Sequence, residues 1–263
     1  MKWLADTTDH LSINNTRLEY RVWGPSPDKA PTIVLLHEGL GSCNQWRDFP
    51  QQLADKTGHG VFAYSRVGYG ASSPAKLPLP LDFITREAMD VLPKVLDAIG
   101  FRQGSLLGHS DGASIAAVYM GSLQDFRVNR LCLIAPHFFT EPMGLNAITE
   151  ARNIFEASDL RTRLAKHHRD PEATFRGWND AWLDPGFKAW NIEDAIPYIR
   201  VPVLAIQGQD DQYGTLAQID TLETNLESPF ERVILDDCKH APHIEKPAQV
   251  LAKIVDFIGP RSS

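Results

Sequence analysis

Cysteine is scarce in this chain and widely scattered. The three residues, Cys43, Cys132 and Cys238, are odd in number and form no C-x-x-C pair. That excludes a disulfide framework and a zinc ribbon. No run of about 18 apolar residues occurs, so no membrane-spanning helix is expected. No block of Lys or Arg occurs either. The 33 acidic and 26 basic residues leave a net charge of −7. A nucleic-acid backbone or an anionic membrane would repel such a chain on average, so neither is expected as a partner. Met1 to Asp9 has no apolar segment and no cleavage signature, so it does not read as a secretory signal, and a cytoplasmic protein is expected. No internal repeat or low-complexity segment is evident. What remains is ordinary globular composition, 43% hydrophobic and 22% charged over 263 residues. That length suits one large domain, or one domain with an insertion, and buries a core without covalent or metal staples.

The first 24 residues read as antiparallel. Leu18, Tyr20 and Val22 alternate with Arg17, Glu19 and Arg21, the period of a half-buried strand. Asn14-Asn15 suits a turn to a shorter strand around Leu11 to Ile13. After Pro31, short apolar runs take over: Ile33 to Leu36, Val61 to Tyr64, Ser105 to Leu107, Leu131 to Ala135, Val203 to Ile206 and Val233 to Leu235. Such runs suit parallel strands covered on both faces. Helical spacing lies between them. It links Ile84, Ala88, Val91, Leu92, Val95 and Ile99, with a kink expected at Pro93. It recurs over Leu216 to Leu226 and Val250 to Ile258. Alternating strands and helices predict crossover units and a mostly parallel sheet. From Ala135 to Val203 is 68 positions, far more than one crossover helix needs. The stretch 137–198 therefore reads as an inserted helical lid, and 1–136 with 199–263 as the core.

Gly108-His109-Ser110-Asp111-Gly112 follows one apolar run and precedes the helix-like stretch Ala113 to Leu123. The pattern G-x-S-x-G arises by chance in about one chain in ten of this size. Its context, strand before and helix after, is what exposes a nucleophilic serine at a sheet edge. His240 sits just past the last apolar run, in Lys239-His240-Ala241-Pro242-His243, and is the leading candidate for the base; His243 is the weaker one. Gly208-Gln209-Asp210-Asp211 follows another run and offers the acid that orients an imidazole. Both loops lie where a parallel α/β sheet places its site, beyond the carboxyl ends of strands. One oxyanion donor should be the Asp111 amide, and the other should come from His37-Glu38-Gly39-Leu40-Gly41-Ser42. The adjacent His167 and His168 lie in the insertion and read as solvated surface.

Taken together, these stretches resemble the α/β-hydrolase superfamily over nearly the whole chain. His37-Glu38-Gly39-Leu40 matches the family's H-G-x-x loop, with Glu38 in place of a usual glycine. Gly68-Tyr69-Gly70-Ala71-Ser72 matches G-x-G-x-S, and Gly208 to Asp211 matches G-x-x-D, which favours Asp211 over Asp210. His240 to Pro247 matches the family's histidine segment, with Lys239 replacing its glycine. The resemblance implies an eight-stranded, mostly parallel sheet with flanking helices. It also implies a Ser110, Asp211, His240 triad and an oxyanion hole from the Gly39 and Asp111 amides, with Leu40 as the alternative to Gly39. The implied reaction is ester hydrolysis of a small, largely apolar substrate through an acyl-serine, with no metal and no cofactor, by a monomer or homodimer. A thioester or the carbon–carbon bond of an aromatic ring-cleavage product uses the same groups, and some relatives only bind ligands. If the Glu38 and Asp111 carboxylates point into the pocket, anionic substrates are disfavoured; an ion pair with Arg66 that supports the loop is the alternative. Leu40, Phe138, Phe139, Trp178 and Trp182 are the candidate substrate contacts. Trp178 and Trp182 are i, i+4 and share a helix face, although such residues more often pack against a core.

Overall fold

A computed structural model of the chain describes residues 1–5 and 7–259. Strands β1 (Thr8–Ile13) and β2 (Thr16–Trp23) form an antiparallel hairpin. Asn14 and Asn15 at its turn have φ of 50° and 64°. Two positive angles in succession match the right-handed twist of the flanking strands, and asparagine tolerates them. Strand β1 is longer than the expected Leu11 to Ile13. Its outer residues Thr8 and Asp9 face solvent, so hydropathy gives them no mark. In β2 the alternation also misleads at Glu19, which is buried. Its carboxylate accepts from the Asn44 side chain at 3.0 Å, the Ser65 hydroxyl at 2.8 Å and the Ala71 amide at 2.9 Å.

The remaining strands are β3 (Thr32–Leu36), β4 (Gly60–Tyr64), β5 (Gly104–His109), β6 (Val128–Ile134), β7 (Val203–Gly208) and β8 (Phe230–Leu235). The eight strands run in the order β1-β2-β4-β3-β5-β6-β7-β8. Strand β2 pairs antiparallel with β4, and every pairing from β4 to β8 is parallel. Successive side chains reach opposite faces. Ile33 and Leu35 enter one core with Val61, Leu107, Cys132 and Leu204, while Val34 and Leu36 enter the other with Phe62, Leu106 and Leu131. Burial on both faces is why these strands read as unbroken apolar runs.

Helix α1 (Phe49–Thr57) packs on the first of these cores. The opposite face is covered by α2 (Phe83–Arg86), a π-helical turn (Glu87–Val91), α3 (Leu92–Ala98) and α4 (Asp111–Ser122). The sequence predicts one helix kinked at Pro93. Instead Pro93 stands in the first turn of α3, after a π-helical turn that changes the hydrogen-bond spacing upstream of it. A proline without an N–H fits a first turn and leaves no interior bond broken.

Between β6 and β7 lie α5 (Pro142–Ala157), α6 (Leu160–Leu164), α7 (Pro171–Trp182) and two 3₁₀ turns, Pro185–Ala189 and Glu193–Tyr198. Phe155 of α5 stacks on Phe175 of α7 with centroids 3.9 Å apart. The chain closes with α8 (Ala217–Asn225), the single turn α9 (Pro242–Glu245) and α10 (Pro247–Ile258), which packs beside α1. No helix among the described residues is long and apolar enough to cross a membrane.

Candidate active site

Strand β5 ends at His109, and α4 starts at Asp111. Ser110 between them has φ 53° and ψ −118°, a strained conformation for a residue with a side chain. The neighbouring glycines are required by close approach. A Cβ on Gly108 would run into the Gly112 carbonyl, and one on Gly112 into the Leu36 carbonyl. The Ser110 amide donates to the Ile134 carbonyl at 2.9 Å, tying the turn to β6.

Ser110 Oγ lies 2.9 Å from His240 Nε2, and His240 Nδ1 lies 2.9 Å from both carboxylate oxygens of Asp211. With the imidazole neutral, Nδ1–H donates to Asp211 and Nε2 accepts the serine hydroxyl. Asp211 is buried and also accepts the Tyr213 amide at 2.9 Å. Burial pushes its carboxyl up. The His240 charge, the His240 hydrogen bond and the Tyr213 amide outweigh that and hold it below the usual range. Asp210 is exposed and makes no such contact.

His243 is not beside Ser110. Its buried ring packs on Trp46 at 5.0 Å and on His109 at 4.7 Å. Burial, then the His240 and Arg47 charges, lower it to about 3, so it stays neutral. His168 is buried rather than solvated. Its Nδ1 accepts the Gly70 amide at 3.0 Å, and its Nε2 lies 2.9 Å from the Leu40 carbonyl. It pins the insertion to the loop after β3, a long-range contact that local sequence could not show. His167 beside it is half-buried.

That loop is held by Arg66, which is itself buried. The guanidinium donates to the His37 carbonyl and, at 3.0 Å, to the Glu38 carbonyl. It also lies 3.8 Å from the Asp111 carboxylate. Asp111 accepts the Trp182 indole N–H at 3.2 Å. Burial raises the Asp111 carboxyl, against the pull of Arg66 and the Trp182 bond. Arg66 therefore pairs with Asp111 and braces the loop, while Glu38 is one of the residues that line the cavity.

A cavity of about 300 Å³ opens over Ser110. Gly39, Leu40, Asp111, Phe139, Trp178 and Trp182 all line it. Trp178 and Trp182 are also 7% and 5% exposed and belong to the core, so wall and core are one layer here. Phe138 does not reach the cavity. It is fully buried, and its amide donates to the Gln218 side chain at 2.7 Å. Phe138 stands at a bend, and Phe139 after it forms an isolated bridge with Asn191. Tyr213 and His137 also line the cavity and were not singled out from sequence. Each lies just beyond the carboxyl end of a strand, β7 or β6, and the rule that pointed to His240 applies to them as well. No group of three or more His, Cys, Asp or Glu among the described residues is placed to hold a metal ion.

The strand order, the strained serine turn and the loops gathered at one sheet edge define an alpha/beta hydrolase. The model of the Alpha/beta hydrolase family matches residues 33–254, and the chain belongs to that family. It is 31% identical to a proline iminopeptidase of Lactobacillus delbrueckii subsp. bulgaricus, over 96% of this chain and 97% of that one. It is 23% identical to the serine hydrolase BPHL of Mus musculus, over 97% and 87%. Its fold is shared with the crystal structure of a Mycobacterium smegmatis proline iminopeptidase. That likeness has a TM-score of 0.75 and 19% identity, and covers 96% of this chain and 97% of the other.

Proposed function

We propose that the protein hydrolyses a carboxylic ester of a small, largely apolar acid through an acyl-serine. The observation that carries this is the chain of 2.9 Å contacts from Ser110 through His240 to Asp211 at the floor of a largely apolar cavity. Ser110 Oγ attacks the carbonyl carbon while His240 Nε2 takes its proton. Asp211 holds the imidazole in the tautomer that can accept and stabilises the imidazolium that forms. The Gly39 and Asp111 amides hold the oxyanion, the Asp111 amide belonging to the first turn of α4. His240 then returns the proton to the leaving alcohol, and water repeats the sequence on the acyl-serine.

The segment 137–198 acts as the lid in this reading. It supplies Phe139, Leu145, Ile148, Trp178 and Trp182 to the cavity wall, and an apolar roof keeps water from the acyl group until deacylation. A second reading has a specific support. The 31% identical relative is named a proline iminopeptidase, and the same groups cleave an amide beside a free N-terminal residue. Assaying p-nitrophenyl butyrate beside prolyl p-nitroanilide, with Ser110→Ala as the control, separates the two. Turnover of the ester alone supports the first reading, and turnover of the anilide alone replaces it with the second.

A further inference from the structure

Four carboxyl groups line the cavity: Glu38, Asp111, Glu141 and Glu245. Lys239 is the one lysine or arginine in its wall among the described residues. Three of the four carboxyls are engaged inside the protein. Asp111 takes the Trp182 indole and faces Arg66. Glu141 accepts from the Thr215 amide at 2.9 Å, the Thr215 hydroxyl at 2.6 Å and the Gln218 side chain at 2.8 Å. Glu245 accepts from the Lys239 and Ala241 amides at 2.8 and 3.0 Å.

Glu38 differs. Its backbone carbonyl is fixed by three donors: the His37 ring at 2.7 Å, Arg66 at 3.0 Å and the Gly41 amide at 3.1 Å. Its carboxyl receives a hydrogen bond from its own amide and from no other described residue. The loop is nevertheless shaped around that carboxyl, since a Cβ on Gly41 would overlap it. Aromatic rings stand nearby. The Trp178 indole nitrogen lies against Gly39, the next residue. The Trp178 and Tyr213 rings meet nearly edge to face, 6.5 Å between centroids and 81° between planes. An unengaged carboxyl beside tryptophan and tyrosine rings is the chemistry that recognises an ammonium group.

We propose that Glu38 is a specificity-determining residue whose carboxylate binds a protonated amine on the acyl group of the substrate, a reading that rests on acyl transfer at Ser110. An apolar acyl chain ending in, or branched by, an amine fills the aromatic cavity and places its charge at the loop that precedes Gly39. A carboxylate-bearing acyl group would meet four carboxyl groups there and be turned away.

The site also sets a pH dependence. Burial pushes the Glu38 carboxyl up to about 7, against the pull of Arg66 and His240 and with a smaller push from Asp111. Tyr69 and Tyr213 face the same group. A second cavity, of about 170 Å³, shares Glu38, His109 and Ala241 with the first and brings His37, Arg47, His167 and His243 to the far side. His37, His109 and His243 are held neutral by burial. His167 is pushed down by burial first. As Glu38 ionises through about pH 7, affinity for a cation should rise.

The test compares phenyl 3-aminopropanoate with phenyl butanoate, which has the same shape and no charge. The amine of the first stays protonated between about pH 6 and pH 8. The quantity read is the ratio of kcat/KM for the two esters, so a loss common to both through the loop cancels. Glu38→Gln should lower that ratio by roughly 10-fold or more, the size of a charge-assisted hydrogen bond. Glu38→Asp should keep part of it. In the native enzyme the ratio should rise between about pH 6 and pH 8, and in Glu38→Gln it should be flat. An unchanged ratio in Glu38→Gln overturns the proposal, as does a native ratio that does not respond to pH. If neither ester is turned over and Ser110 is inert to a fluorophosphonate, the acyl-transfer reading is what fails. Binding then decides the role of Glu38, read from tryptophan fluorescence with 3-aminopropanamide and butanamide. A preference for the amine that Glu38→Gln abolishes supports the carboxylate site, and equal binding of the two amides overturns it.

Discussion

At the scale of single residues, the account turns on Ser110, His240 and Asp211. Ser110→Ala should lower kcat by up to roughly 10⁶ where chemistry limits the rate. Asp211→Asn should cost on the order of 10⁴ in kcat, because it favours the imidazole tautomer that cannot take the serine proton. Asp210→Asn should leave most of the activity, since Asp210 is exposed and away from the imidazole. Steady-state rates on the three variants check this, and a larger loss at Asp210 than at Asp211 would contradict it. These three positions were legible because each sits at the carboxyl end of an apolar run, with a local motif around it. His137 and Tyr213 lie at the same strand ends but carry no motif of their own, and the burial of His168 was not legible, because its partners come from distant segments. The two partners of His168, Gly70 and Leu40, lie 98 and 128 residues away.

At the scale of elements, hydrogen bonds tie the segment between β6 and β7 to the loops after β3 and β4 and to the start of α4. His168 ties the insertion to Leu40 and Gly70, the Thr174 hydroxyl donates to the Gly68 carbonyl at 2.7 Å, and the Trp182 indole donates to Asp111. The sequence offered a stretch rich in helix formers between two apolar runs 68 positions apart. It could not separate wall from core for the tryptophans, because they serve as both. Trp178→Ala should therefore have two effects. It should move the kcat/KM ratio between a bulky and a short acyl ester by roughly 10–200-fold, the worth of one lost apolar contact. It should also lower stability by about 3–5 kcal/mol, as loss of a buried aromatic does. Melting and both ester rates on the same variant check the pair. A fall in Tm with an unchanged ratio would make Trp178 packing alone.

At the scale of the whole molecule, buried imidazoles set the response to acid. His137 and His243 are lowered to about 3 by burial first, and the burial of His37 and His109 lowers them well below the usual value. Each is neutral when folded and takes up a proton on unfolding below its ordinary value of 6.5. Their stabilisation is therefore present above that pH and is lost as pH falls through the window down to about 3. The buried Glu38 carboxyl has the opposite sign. Its contribution is present below its ordinary value and fades as pH rises through about 7. Thermal melts should thus show Tm falling from about pH 6.5 downward. His243→Phe should flatten that fall, and an unaltered slope would contradict the role given to the imidazole.

The central claim is that Ser110 is the attacking group, and intact-mass analysis after treatment with a fluorophosphonate tests it most directly. The account predicts one adduct per chain, located by peptide mapping to Ser110, abolished in Ser110→Ala and slowed in Asp211→Asn. An adduct that persists undiminished in Ser110→Ala, or maps to another residue, would contradict it.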